Sequence, residues 1–457
     1  MGLSFYMLRL KIQGIKNIEN PIEFNFYKKT INNDFNPEKY RIKAIYGENG
    51  SGKTAIITSV EMLQNLILNK NYLADNDTQR KLVEMINRKT KKGFIETEFH
   101  MNVENVKIIF QYYVSFAVGE DGRVYITEES LEQKNGNYSK NKFEPTFHTK
   151  DGELVAFADP DVYALAKEKT QNLLDKQTFA VCLFTIKDKD ISEKCRTKNS
   201  YWRTMIVVLF AASLQVSIDA EDSHTGYIVG ERLSKINETN LATDGMEFIN
   251  RLKMSKFGTG ENNVLVPKKF FSSYEEKIKR MCEFIKIFKP ELQDIEIEKK
   301  DYDQSYKCNL KMIYEQYSLD REFESRGIKK LMNLFGFLDA ASREGMIVFI
   351  DELDSNINDV YLDKIIEYFV YYGKGQLCFT SHNLSPMSVL KGNKSAISFI
   401  SSINTVHTWT NSGNLTPENA YKKGFIEDSP FNVDSSDFLG ILGGDDEQTD
   451  IIVRRDE

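Results

Sequence analysis

The period of apolar and polar positions changes several times along the chain, and each change marks an element. "MLRLKIQGIKNI" and "IEFNFY" alternate residue by residue, as half-buried strands do. "RIKAIY" (41–46) is apolar with little alternation and predicts a buried strand. A glycine loop follows, and then the apolar positions of "KTAIITSVEMLQNLILNK" recur at helical spacing. The order is strand, loop, helix. "GFIETEFHM" and "VKIIFQYYVSFAV" predict further antiparallel strands, with "GEDGR" as the turn into "VYITEE".

From about residue 155 to 290 the pattern is helical and charged, clearest in "DPDVYALAKEKTQNLLDK" and "SYEEKIKRMCEFIKIF". No a/d heptad persists, so no extended coiled coil is predicted. The apolar run "TMIVVLFAASLQVSI" (204–218), bounded by Arg203 and Asp219, is too short to span a bilayer and predicts a buried helix. Strand character returns at "IEIEKK" and "YKCNLKMIY". Next come a helix ("GIKKLMNLFGFLDAA"), a very apolar strand ("MIVFI", 346–350), a second helix ("DVYLDKIIEYFVYYG") and the strand "QLCFT" (376–380). The acidic, Gly-rich tail after about 430 predicts a solvated, poorly ordered end.

Length and composition change this picture little. A chain of 457 residues exceeds the usual single core, so two lobes are the prior. Hydrophobic residues at 41% and charged residues at 28% fit a soluble globular protein. A net charge of −7 argues against a surface that coats nucleic acid throughout, while leaving a local basic patch open. The five cysteines (Cys182, Cys195, Cys282, Cys308 and Cys378) form no CxxC pair and signal neither a zinc knuckle nor a disulfide framework. With no secretory leader, they fit a reducing cytoplasm. The Met-Gly start has Tyr6 where a myristoylation site needs Ser or Thr.

Candidate chemistry sits on the loops between these elements. Gly47, Gly52, Lys53 and Thr54 satisfy GxxxxGK[ST] between a strand and a helix. Such a loop wraps phosphates with backbone N–H groups at a helix N-terminus. Gly47, Asn49, Gly50, Ser51, Gly52, Lys53, Thr54 and Ala55 are therefore candidate nucleotide contacts. Lys53 would reach the β and γ phosphates and Thr54 would ligate Mg²⁺. In "MIVFIDELDSN", Asp351 and Glu352 leave a buried strand together. An ATPase needs one carboxylate there for Mg²⁺ and one to polarise water; the bland alternative is a strand running into a polar turn. His382 in "LCFTSHN" also follows an apolar strand, where a lone histidine is more often a satisfied turn residue. In "EFESRGIKKLMNLF", Ser325 and Gly327 open a helix, which makes either an anion site or a simple cap.

Together, "GENGSGKTAI", "FESRGIKKLMNLF", "MIVFIDELDSNIN" and "QLCFTSHN" resemble the ABC/SMC-related ATPases of the OLD and RecF kind. The nearest resemblance is to the compact AAA15/AAA21-type ATPases of bacterial abortive-infection and anti-phage defence systems. The fold this implies is α/β, an ABC-type ATPase head with an antiparallel N-terminal β-lobe, a P-loop core and a mostly helical insertion. It divides the chain into 1–120 (first half of the head), 121–294 (insertion), 295–415 (second half) and 416–457 (extension and acidic tail). The resemblance assigns Mg²⁺ to Asp351 with Thr54, water activation to Glu352 and the switch role to His382. Ser325 and Gly327 take the signature role across a dimer interface, and Asp354 the dimer-crossing role after the acidic pair. Lys16 and Asn17 stand where relatives have a short basic motif near the nucleotide. Two departures stand out: the signature reads SRGIK rather than SxGTK, and the Q-loop glutamine has no clear counterpart, Gln111 lying in a strand of the right lobe with neighbours unlike that motif.

The function this implies is an ATP- and Mg²⁺-dependent cytoplasmic ATPase. It would form a homodimer with ATP sandwiched between heads, with larger rings also compatible, and control a separately encoded effector. The effector would be a TOPRIM/RloB-like or HNH nuclease; no membrane is implied. The alternative is a RecF/SMC-like ATPase of DNA repair or DNA ends, with DNA contacted by the insertion. The residues after His382 show no nuclease carboxylate cluster, and the long interval from Thr54 to Ser325 argues against a transporter subunit.

Overall fold

A computed structural model describes residues 3–27, 31–32, 34–103, 106–137, 140–185, 198–218, 252, 262–355, 357–393, 395–410 and 415–426. Among them three sheets organise the chain. The first is antiparallel, built from β1 (Ser4–Gln13), β2 (Ile22–Asn25), β4 (Lys92–Val103), β5 (Val106–Val118), β6 (Val124–Asn135), β7 (Glu144–Lys150) and β8 (Glu153–Phe157). Its order is β2-β1-β4-β5-β6-β7-β8. Alternation sorts its faces: Ile95, Phe99, Phe110, Tyr112 and Val114 are buried, while Arg9 on the other face pairs with Glu96 and Glu98 at 2.5 and 2.6 Å.

The second sheet is the core: β17-β16-β3-β15-β14-β9. Its members are β3 (Ile42–Gly47), β9 (Leu214–Ser217), β14 (Ile347–Ile350), β15 (Gln376–Thr380), β16 (Ile397–Ile400) and β17 (Val406–Thr408). All pairs are parallel except β16–β17. Every residue of β3, β14, β15 and β16 is buried, as sheets covered on both faces require, which is why their sequences are mostly apolar without alternation, the few polar members (Lys43, Gln376, Thr380 and Ser398) being buried as well. The third sheet holds β10 (Val264–Pro267), β11 (Leu292–Tyr302), β12 (Ser305–Tyr314) and β13 (Ser318–Asp320).

Helices fill the space between. They are α1 (Lys53–Leu68), α2 (Asn76–Met85), α3 (Pro160–Thr170), α4 (Phe179–Thr185), α5 (Asn199–Ser213), α6 (Phe271–Phe288), α7 (Arg326–Asp339), α8 (Asp359–Tyr372), α9 (Pro386–Leu390) and α10 (Pro417–Lys422). α1 touches β3, β9 and β14 on one side and α4 and α5 on another, so nearly all of it is buried. Phe210 of α5 stacks on Phe99 of β4 at 3.9 Å, tying that layer to the antiparallel sheet. The Gln376 side chain bridges the lobes directly: it accepts from Met7 N–H at 2.6 Å and donates to Met7 O at 3.0 Å and Tyr40 O at 3.2 Å.

Three sequence expectations change. The buried helix expected over 204–218 ends at Ser213, and Leu214–Ser217 continue as β9, parallel to β14. Gln64 of α1 stabilises the break by donating to Ala211 O at 3.0 Å and Leu214 O at 2.6 Å. A run that is apolar all round fits a buried helix and a buried strand equally well, and pairing with a distant strand decides. The region expected to be a mainly helical insertion opens with β6–β8, which extend the first sheet across residue 120. Its other limit, at 295, falls inside β11. Of the extension, α10 folds back on the core, with Tyr421 stacked on Phe399 at 5.2 Å. The acidic tail beyond 426, Cys195 and most of 219–261 lie outside the described residues. No described helix is long and apolar enough to cross a membrane.

Candidate functional site

The phosphate loop leaves β3 at Gly47 and enters α1 at Lys53. Gly50 (φ 80°) and Gly52 (φ 108°) hold left-handed backbone that other residues rarely adopt. Space opposes a side chain at Gly52 as well: a Cβ would lie 2.4 Å from Ile18 Cδ1, and that buried side chain would have to shift. Asn49 and Gly50 are exposed at the tip, Ser51 and Ala55 are buried, and Thr54 is half-buried at the first turn. The Lys53 ammonium donates to Gly47 O at 2.7 Å and Glu48 O at 2.9 Å, and so lies within the curve of its own loop. Burial pulls its pKa below the ordinary lysine range, and Asp351, Glu352, Asp354 and Glu48 oppose that pull. The lysine and the acidic cluster, far apart in sequence, are electrostatic neighbours.

A tight turn at residues 15–18 backs the loop. Lys16 takes φ 50°, with its N–H bonded to Met85 O at 2.5 Å. The Asn17 side chain donates to Gly50 O at 2.5 Å, which places it against the phosphate loop. Asn404 completes the frame: it accepts from Glu19 N–H at 3.2 Å and donates to Ser51 O at 3.5 Å. Sequence reasoning missed Asn404. It belongs to a turn between β16 and β17, with φ 62°, and no local signal links it to a loop so far upstream.

The acidic cluster stands at the C-terminal rim of the same sheet. β15 lies between β3 and β14, so the phosphate loop and Asp351 leave the sheet on either side of Thr380. Asp351 N–H bonds Ser217 O at 2.9 Å, and its Oδ1 accepts the Thr380 hydroxyl at 2.5 Å. Glu352 is exposed, with φ 49°, and its Oε1 stands 3.9 Å from His382 Nε2. Asp354 Oδ2 accepts from the backbone N–H groups of His382 (3.3 Å) and Asn383 (3.1 Å). The residue expected to cross a dimer interface therefore has a partner in its own chain and supports the loop that carries His382. Asn383 and Ser385 fasten that loop to α8 through Asp359 (2.7 Å) and Asp363 (2.5 Å).

The signature residues stand apart from this rim. Ser325 caps α7, accepting from Ile328 N–H at 3.3 Å, and both Ser325 and Arg326 are exposed. A Cβ at Gly327 would meet nothing within 4 Å. Beneath them Glu324 is buried, bonded to Tyr314 Oη, Ser325 N–H (3.1 Å) and Lys289 Nζ (3.3 Å). α7 packs against α6 and the π-turn that follows it. Gln111 lies mid-strand in β5, opposite Glu98 and Glu132.

No family model matches the chain, and no curated protein matches it. Solved structures do. An Smc head bound to the C-winged helix domain of ScpA is 12% identical, over 91% of this chain and 99% of that one, with a TM-score of 0.44. The Pyrococcus furiosus Smc head with an extended coiled coil, bound to the C-terminal domain of ScpA, is 14% identical over 92% and 98%, with a TM-score of 0.42. The Pyrococcus yayanosii Smc head with a coiled coil and joint is 12% identical over 89% and 97%, at 0.42. The architecture described above rests on this chain's own strand order and register.

Proposed function

We propose that this chain is an ATPase of the ABC type that binds ATP and Mg²⁺ between two heads and hydrolyses it. One observation carries the reading: Lys53, in the glycine loop after β3, and Asp351–Glu352, after β14, leave the same rim of the core sheet on either side of β15 and interact electrostatically. Lys53, the loop N–H groups and the start of α1 bind and orient the triphosphate. Asp351 and the Thr54 hydroxyl are hard oxygen donors, the few-ligand set that suits Mg²⁺ held largely by phosphate and water. When bound, Mg²⁺ neutralises charge on the β and γ phosphates. Glu352 accepts the proton of the attacking water as its oxygen bonds to Pγ; the bond from Pγ to the bridging oxygen breaks and ADP departs. His382, 3.9 Å from Glu352, would sense the γ-phosphate.

Phosphate release and nucleotide binding test this together. Lys53→Ala should weaken binding and turnover by about 100-fold or more. Glu352→Gln should keep binding, lose turnover by a similar factor and accumulate ATP-bound dimer in light scattering. Wild-type protein that releases no phosphate at any concentration would refute the hydrolytic reading.

We further propose that the ATPase serves anti-phage defence by controlling a separately encoded nuclease. The combined motif set, from the phosphate loop to His382, supports this role. Its test is phage plating on cells carrying the gene with its neighbours. Protection should be lost with Lys53→Ala, and protection that survives this change contradicts an ATP-driven role. One surface feature favours the second reading, a DNA-binding ATPase. Lys107, Lys134 and Lys142 gather with three asparagines around an open cavity of 830 Å³ along β5–β7. That reading expects duplex binding that weakens steeply with salt, and salt-independent or absent binding removes it.

A further inference from the structure

Thr380, the last residue of β15, is fully buried; it stands in the motif "QLCFTSHN", of which the resemblance gives only His382 a role. Its hydroxyl donates to Asp351 Oδ1 at 2.5 Å and accepts from Glu352 N–H at 2.8 Å. Its carbonyl accepts Leu353 N–H at 3.1 Å. One residue thus grips three consecutive residues where the neighbouring strand ends. The middle one is Glu352, whose φ of 49° is a conformation that costs a non-glycine residue about 1 kcal/mol or more unless its surroundings enforce it. The bond from Glu352 N–H to the Thr380 hydroxyl is such an enforcement. On the other side of the same hydroxyl, Asp351 has one oxygen committed and the other left for a cation.

We propose that Thr380 is a positioning residue for ATP hydrolysis: it sets which oxygen of Asp351 meets the divalent cation and holds the turn that aims Glu352 towards His382. The proposal rests on the ATPase reading. It assigns both functions to a single hydroxyl, so they should be lost together and restored together. Threonine and valine have nearly the same shape, so Thr380→Val removes the hydroxyl and keeps the packing, while Thr380→Ser keeps the hydroxyl.

The test measures kcat, KM and, independently of turnover, the affinity for a non-hydrolysable ATP analogue in EDTA and across a Mg²⁺ titration. Thr380→Val should leave affinity in EDTA unchanged. It should lower kcat and raise the Mg²⁺ concentration for half-maximal tightening, each by about 10- to 100-fold, as lost support of a metal ligand does. Thr380→Ser should restore both. If Thr380→Val fails to show a cooperative melt, Thr380→Ala takes its place with the same readouts. Wild-type kcat and Mg²⁺ dependence in the hydroxyl-free variant, with Glu352→Gln inactive, would overturn the proposal and leave the ATPase reading intact. If wild-type protein itself does not hydrolyse ATP, the ATPase reading fails and the role in hydrolysis fails with it; an unshifted Mg²⁺ titration would then remove the link to Asp351 as well.

Discussion

Two helices begin where this chain would meet phosphate, and they begin differently. The start of α1 is enclosed: Gly52 is pressed by Ile18, Asn17 bonds the loop, and Lys53 bonds back to it. The start of α7 is open, with Ser325 and Arg326 exposed and free space above Gly327. Both offer unpaired N–H groups and the positive end of a helix dipole. The difference shows where each glycine's requirement lies. At Gly52 the protomer itself opposes a side chain, through its backbone conformation and the seat of Ile18. At Gly327 nothing in the protomer does, so under the proposed function the requirement comes from a second copy.

The contrast can be broken by one methyl group. Gly52→Ala should destabilise the fold by about 2–4 kcal/mol, combining strain at φ 108° with the clash against Ile18; urea denaturation reads it directly. Gly327→Ala should leave the protomer's stability unchanged or raised by up to ~1 kcal/mol, because alanine favours the helix. Its turnover should nonetheless fall, and an unchanged rate would mean that no partner surface closes over this helix. A pH-dependent effect lies under the enclosed end. Lys43 of β3 is wholly buried, donating to Asn25 O at 2.9 Å and Ser395 O at 2.8 Å, and burial pulls its pKa down to about 7. Above that value the unfolded chain holds a proton that the folded chain does not, so stability rises from pH 7.5 to 9.5 and the gain disappears as pH falls through 7. The slope should approach ~1.4 kcal/mol per pH unit and vanish in Lys43→Met.

What was legible in the sequence follows the same divide. The glycine loop and Asp351–Glu352 announce themselves because residue type and local order are both constrained, strand before and carboxylate after. The buried strands β3, β14 and β15 were readable from their apolar runs. Strand β9, Asn404 and Thr380 were not, since each acquires its place by pairing with a segment far away in the chain. Likewise, the bonds from Asp354 to the His382 loop depend on how two strand ends lie side by side, which no spacing encodes. The antiparallel sheet ran past its expected limit because β6–β8 carry the same alternation as the strands before them.

The central claim is that a working site combines the α1 end of one copy with the α7 end of another. Complementation tests it most directly. Lys53→Ala and Ser325→Arg should each abolish turnover alone. In a mixed dimer both lesions fall in one composite site and the second site is intact. An equimolar mixture should therefore recover about a quarter of wild-type phosphate release, the share of intact sites under random pairing in a two-fold dimer. A mixture no more active than its two components, with mixed dimers shown to form, would contradict the composite site.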